Sequence, residues 1–376
     1  MAQHTITVLP GDGVGPEVTE QAIDVLLAVA DLFGHEFTLH SRLAGLDAIA
    51  AEGVAISEAT MSLCGQSDAV LFGAIGSLPP GERRAARVKP EQALFRLRKD
   101  FEFFANLRPI RPAPGLHHAS PIKPEHVAGA DLIFVRELSA GLYYGHLDST
   151  PDKPSEIRDT DRGAVAIDTL RYTEQEIERV VRAAFAIAAT RRGVLTSVDK
   201  ANVLSSSILW RRVVERVAAN HPEVTWEHML VDACAMHLLR DPARFDVIVT
   251  ENLFGDILTD EAAMLTGSIG MIPSASLGTR RTAAGTFGLY EPIHGSAPDI
   301  AGQDLANPVG AVLSAALLLR HSLGLPREAE AVEAAVEAVV AEGYRTVDVQ
   351  EPDTRAVGTR EMGKRIVAAV AEGHRR

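Results

Sequence analysis

Short apolar runs suited to buried β-strands recur along this chain, and stretches of helical periodicity follow them. Thr5-Ile6-Thr7-Val8-Leu9 leads through a glycine turn into a helix predicted over 16–33, and a strand over 68–73 precedes a short helix over 90–99. Strands over 131–137 and 194–198 flank a helix over 173–192, where Thr173 with Glu176 three residues on has the spacing of a capping box. A helix over 204–219 and a strand over 246–250 follow, and the end reads as helices over 308–323, 327–342 and 358–371. Such alternation predicts an α/β protein whose sheet is covered by helices. The turn-rich segments 77–89 and 149–163 read as surface loops, and composition alone marks no domain border.

The 376 residues, 46% hydrophobic and 23% charged, suit one large or two ordinary globular domains. A formal net charge of −13 argues against nucleic acid or an anionic membrane as partner, but a local arginine cluster could still hold a small anion. Two cysteines, Cys64 and Cys234, give no disulfide framework and fit a reducing compartment. The opening Met1-Ala2-Gln3-His4-Thr5 shows no basic leader, and the apolar run 309–319 is short of the ~18–20 residues of a membrane span. A cytoplasmic location is the expectation.

Two tempting motifs do not hold. Pro10-Gly11-Asp12-Gly13-Val14-Gly15-Pro16 follows a strand and opens a helix, but Pro16 stands where a dinucleotide fingerprint needs its third glycine. Asp12 would also face the pyrophosphate with a negative charge. Ser197-Val198-Asp199-Lys200 matches a serine–lysine motif by letter, yet i and i+3 on a strand point to opposite faces.

Asp256 and Asp260 lie one helical turn apart, just past the apolar strand 246–250, and a third acid, Asp232, stands upstream. An i,i+4 acid pair is often only a solvated helix face. Placed past a buried strand, where open α/β sheets hold ligands, the acids instead suggest a site for magnesium or manganese, which favour hard oxygen donors. Arg98, Arg108 and Arg136 sit in apolar or turn contexts. Singly each suits a structural ion pair; together with the acids they suggest a substrate bearing two carboxylates.

The blocks Leu9–Glu17, Ala105–Pro109, Val198–Asn202, Phe254–Asp260 and Glu291–Gly302 resemble, in order, those of the β-decarboxylating dehydrogenases, the isocitrate/isopropylmalate dehydrogenase family. The similarity spans about residues 4–370 and is greatest to members acting on 3-isopropylmalate. It implies a two-domain fold that is not a Rossmann fold, with the active site in the interdomain cleft. A cofactor-binding domain would combine 1–104 with 263–376, and 105–262 would form the substrate and dimerisation domain.

The resemblance further implies a homodimer with shared active sites. Arg98, Arg108 and Arg136 would grip the substrate carboxylates, while Asp256 and Asp260, with Asp232 of the neighbouring subunit, would hold Mg2+ or Mn2+. Lys200 would serve as base toward the C2 hydroxyl, where a divalent cation and burial favour its neutral form. Tyr143 would protonate C3, and Asn202 would position substrate and nicotinamide.

NAD would lie on Val14, Gly76 and the loop carrying Glu291, His294, Gly295, Ser296, Ala297, Asp299, Ile300 and Asn307. Asp299 can accept from a ribose 2′-hydroxyl but repels a 2′-phosphate, which predicts NAD over NADP. Members acting on 3-isopropylmalate read Glu-x-x-Leu-Leu before the first arginine. Here Glu91 and Leu94 fit and Phe95 departs, either reshaping the alkyl pocket or pointing away from it. The implied reaction is NAD-dependent oxidative decarboxylation of 3-isopropylmalate, as in leucine biosynthesis. A D-malate/tartrate or specialised alkylmalate enzyme, and a non-catalytic ligand-binding subunit, are the alternatives. Segment 145–165 is longer than usual where the family carries a subunit-joining arm.

Overall fold

A computed structural model describes residues 2–78, 87–145, 150 and 154–375. The predicted loop over 77–89 therefore lies partly outside the described residues, as does part of segment 145–165. The strands are β1 Gln3–Gly11, β2 Glu36–Ser41, β3 Ala69–Ala74, β4 Ala105–Ile110, β5 Leu132–Glu137, β6 Glu156–Thr160 and β7 Gly163–Ile167. They continue with β8 Val194–Asp199, β9 Thr225–Leu230, β10 Val247–Thr250, β11 Pro273–Arg281, β12 Thr286–Pro292, β13 Tyr344–Arg345 and β14 Arg355–Ala356. Two compact units form: residues 1–103, 111–128 and 263–376 make the first, and 104–110 with 129–262 the second.

In the first unit the strand order is β2-β1-β3-β12-β11, parallel except for the antiparallel pair β11–β12. The fully buried sequence of β3, Ala-Val-Leu-Phe-Gly-Ala, is what a central strand covered on both faces requires. Helix Gly15–Phe33 packs against helices Val309–His321 and Thr359–Arg375. The middle of these is buried almost all round, which explains why its sequence is apolar without a polar stripe.

In the second unit the order is β4-β5-β10-β8-β9, with β4 antiparallel to β5 and the remaining pairs parallel. Helix Glu174–Ala189 carries the predicted capping box: Thr173 Oγ1 accepts from Glu176 N, and Glu176 Oε2 accepts from Thr173 N at 2.6 Å. It buries Ile177, Val180, Val181, Ala184, Phe185 and Ala188, a stripe recurring every three or four residues, and packs on β5, β8 and β10.

Strand pairing places Asn106, Arg136, Thr250 and Val198 side by side in one row. The segments that follow β5, β8, β9 and β10 therefore leave the sheet from the same edge, the carboxyl ends of its parallel strands, where such sheets hold ligands.

One expectation is corrected. Segment 149–163 is not a plain loop, because Glu156–Thr160 pairs antiparallel with Gly163–Ile167. Thr160 Oγ1 closes the turn on the Gly163 carbonyl at 2.7 Å, with Gly163 at φ +99. Its strands are exposed on both faces, so the sequence lacks the apolar alternation by which a half-buried hairpin is read.

Candidate active site

β10 ends at Thr250, and Glu251 caps the following helix Asn252–Ala263 by accepting from Leu253 N at 3.1 Å and Phe254 N at 2.8 Å. That cap fixes which face of the helix carries Asp256 and Asp260. Arg108 and Arg136 lie against this face. Arg136 Nη1 donates to Asp256 Oδ1, Arg108 Nη2 stands 3.6 Å from the same oxygen, and Arg108 Nη1 stands 3.9 Å from Asp260 Oδ1.

Both arginines are buried, and both are held by neutral acceptors. Arg108 donates to Asn106 Oδ1 at 2.8 Å and to Thr259 Oγ1 at 2.5 Å, while Arg136 donates twice to Asn252 Oδ1. Gly255 is required beside them, since a Cβ there would come within 2.6 Å of Arg136 Cγ. Asn106, Asn252 and Thr259 were not singled out from the sequence, although each lies in or beside a block that carries the resemblance.

Tyr143 completes this group. Its hydroxyl donates to Asp256 Oδ2 and its ring lies 4.9 Å beneath the Arg136 guanidinium. Burial, then the Asp256 carboxylate, pushes the phenol above its ordinary value, so it stays protonated. Burial opposes ionisation of Asp256, but Arg136, Tyr143 and Arg108 outweigh it and hold that carboxyl below the usual range. At Asp260 burial prevails, aided by the Asp256 charge, and the carboxyl is raised despite Arg108. The helix thus presents one acid whose charge its neighbours favour and one whose charge burial opposes.

Lys200 and Asp232 form a separate group in the same unit. Lys200 Nζ lies 2.5 Å from Asp232 Oδ1, and this pairing lowers the Asp232 carboxyl. Lys200 leaves β8 with its backbone N bonded to Ser207 Oγ, and Asp232 opens helix Val231–Arg240 directly after β9. Asn202, one turn past Lys200, is exposed. Ser197 is buried and accepts from Trp210 Nε1 at 3.1 Å, so it does not face Lys200. Among the described residues of one chain, no three His, Cys, Asp or Glu side chains converge as a metal site would need.

The remaining sequence-predicted residues lie in the first unit. Arg98 is buried on helix Gln92–Asp100 and donates to Glu291 Oε1 at 3.0 Å, so two residues expected to serve different ligands are partners here. Leu94 and Phe95 are half-buried on that helix, and Glu91 stands at its start.

Asp12 explains the glycine turn. Its carboxylate accepts from Leu46 N and Gly76 N, each at 2.7 Å, so the turn is filled by its own acid. Gly76 has no room for a Cβ, which would come within 2.9 Å of that carboxylate. Val14 N donates to the Ser296 carbonyl at 2.8 Å, joining the turn to the loop after β12. Glu17 fastens the same loop by accepting from Gly302 N and, at 3.3 Å, Asp304 N.

That loop holds Ala297 at φ +36 and Asp304 at φ +58, a left-handed conformation that side chains other than glycine rarely adopt. His294 Nδ1 pairs with the Gly295 carbonyl, burial lowers the ring's basicity, and its buried Nε2 has no partner among the described residues. An orphaned buried nitrogen is costly unless a ligand meets it. Asp299 is exposed, Ile300 is half-buried, and Asn307 is committed to Val309 N at 3.0 Å and Asp348 at 3.0 Å.

An α/β fold with arginines and acids gathered past the ends of parallel strands defines an enzyme for small anionic substrates. Comparison with known proteins narrows that class. The family model described as isocitrate/isopropylmalate dehydrogenase matches residues 5–366. A 3-isopropylmalate dehydrogenase of Moorella thermoacetica is 53% identical over 98% of this chain and 100% of its own length. One of Geobacillus kaustophilus is 51% identical over 99% of this chain and 97% of its own. Among solved structures, isocitrate dehydrogenase from Methylococcus capsulatus superposes with a TM-score of 0.83 at 32% identity, covering 98% of this chain and 99% of that one. A β-decarboxylating dehydrogenase from Thermococcus kodakarensis gives 0.76 at 34% identity, covering 98% and 96%. The chain belongs to the isocitrate/isopropylmalate dehydrogenase family.

Proposed function

We propose that this chain oxidises and decarboxylates 3-isopropylmalate to 4-methyl-2-oxopentanoate, with NAD as hydride acceptor and Mg2+ or Mn2+ as Lewis acid, as a homodimer with shared active sites. The observation that carries the reading is the group Arg108, Arg136, Tyr143, Asp256 and Asp260, which combines guanidinium forks for carboxylates, hard oxygen donors and a protonated phenol. When bound, the divalent cation would neutralise the acids and polarise the substrate's C2 oxygen, and NAD would take up the hydride.

Arg108 and Arg136, with Arg98, bind the substrate carboxylates. Lys200 takes the C2 hydroxyl proton, with the ionised Asp232 beside it to balance the charge gained. Tyr143 is kept protonated and delivers its proton to C3 after carbon dioxide leaves. Leu94 and Phe95 receive the alkyl group, with Glu91 and Asn202 positioning substrate, and Asp299 selects NAD over its 2′-phosphorylated form.

Asp256 and Asp260 fit a divalent cation but supply only two of its ligands. Asp232 of a second copy supplies the third. The exposed apolar side chains Val203, Met236, Leu239 and Ile257 in the same unit suit burial between two copies.

A panel of 3-isopropylmalate, D-malate and homoisocitrate, each with NAD or NADP and magnesium, tests this through absorbance of the reduced nicotinamide. The expected outcome is highest kcat/KM for 3-isopropylmalate with NAD. A preference for D-malate or homoisocitrate would overturn the substrate, and a preference for NADP would overturn the role of Asp299.

A further inference from the structure

We infer that Asn252 is a positioning residue that aims the Arg136 guanidinium at substrate without adding a second carboxylate to the one it already meets at Asp256; this rests on the substrate-binding role proposed for Arg136. Arg136 is 1% exposed and reaches the site from the end of β5. Its Nε and Nη2 both donate to Asn252 Oδ1, at 2.9 and 2.7 Å, so one oxygen spans that edge of the fork. The other edge, Nη1, is thereby turned toward Asp256, and the guanidinium carbon lies 4.9 Å over the Tyr143 ring centroid.

Asn252 is itself immobile. It is 1% exposed, its amide Nδ2 donates to the Ala140 carbonyl at 2.9 Å, and its backbone N donates to the Tyr172 hydroxyl at 3.0 Å. The Tyr172 hydroxyl is oriented in turn by Glu251 Oε2 at 3.3 Å. A carboxylate in place of this carboxamide would hold the guanidinium equally well. It would also set a second carboxylate against a guanidinium already paired with Asp256, and a substrate carboxylate would then meet net negative charge. A neutral acceptor orients without that cost, and the same device recurs at Arg108 with Asn106 and Thr259.

The test compares Asn252→Ala, which releases the fork, with Asn252→Asp, which keeps an acceptor oxygen but adds a second negative charge and loses the donor to the Ala140 carbonyl. Arg136→Gln serves as reference. Each is assayed with 3-isopropylmalate and NAD at saturating magnesium, and thermal unfolding is followed in parallel. Both Asn252 variants should raise KM for 3-isopropylmalate about tenfold or more, with KM for NAD unchanged, Asn252→Ala by losing the charge-assisted hydrogen bonds to the fork and Asn252→Asp by opposing the substrate's charge.

An unchanged KM for 3-isopropylmalate in either folded variant, or an equal rise in KM for NAD, would overturn the inference. Should one variant not fold, Asn252→Ser takes its place under the same criteria. If Arg136→Gln leaves KM for 3-isopropylmalate unaltered, the reading of Arg136 as a substrate ligand fails, and that result is distinct from failure at Asn252 alone.

Discussion

At the scale of single residues, the site sets groups of opposite charge against one another, and burial prevails at Tyr143 and Asp260 while neighbouring charge prevails at Asp256. Tyr143 is the clearest case, with its phenol proton held between a carboxylate and a guanidinium. Replacing it with phenylalanine keeps the ring under Arg136 and removes the proton. Tyr143→Phe should therefore lower kcat about 10²-fold, the usual worth of a placed general acid, with KM for NAD unchanged. Stopped-flow absorbance with analysis of released 2-oxo acids would check this, and turnover at the parent rate would remove Tyr143 from the chemistry. The sequence singled out Arg108, Arg136, Asp256 and Asp260, which lie together here, while their roles came only from the resemblance. The charged types announced themselves by lying among apolar neighbours, whereas Asn106, Asn252 and Thr259 gave no such signal because a neutral amide or hydroxyl is at home in any turn.

At the scale of elements, several strands buried on both faces and helices with an apolar stripe could be read directly, and one cap, Thr173, could be named. The capping box at Thr173 satisfies amides that helix Glu174–Ala189 would otherwise leave unpaired. Thr173→Ala should cost about 1 kcal/mol of unfolding free energy in a urea titration, with the slope unchanged. Two of the elements that escaped the sequence show why. β11 is Pro-Ser-Ala-Ser-Leu-Gly-Thr-Arg-Arg, buried through its first half by its neighbours rather than by its own apolar residues. β4 carries Arg108 and Pro109 within six residues, which hides a strand whose charged side chain lies against Asp256 and Asp260.

At the scale of the whole molecule, Lys200 and Asp232 on one copy would face Asp256 and Asp260 on another, so two differently disabled variants should rescue each other. Mixing Lys200→Ala and Asp256→Ala subunits after denaturation and refolding should restore about a quarter of parental activity. Random pairing makes half the dimers mixed, each with one intact site of two. No recovery would confine every site to a single copy.

Acid stability offers a second test at this scale. Burial and the neighbouring Arg320 push His321 down to about 4, below the unfolded value near 6.5. The unfolded chain therefore binds the proton first. The stability this group contributes is present above about pH 6.5 and is lost as pH falls toward 4. His321→Gln should flatten that limb by roughly 1–3 kcal/mol in thermal or urea unfolding followed from pH 7 to pH 4.

The loop after β12 is fastened at both ends of the sequence. Glu17 grips the amides of Gly302 and Asp304, and the Asp304 carboxylate in turn accepts from Arg360 N at the head of helix Thr359–Arg375. With the dinucleotide seated in that loop as proposed, a lesion near residue 360 would masquerade in the assay as a weakened grip on coenzyme.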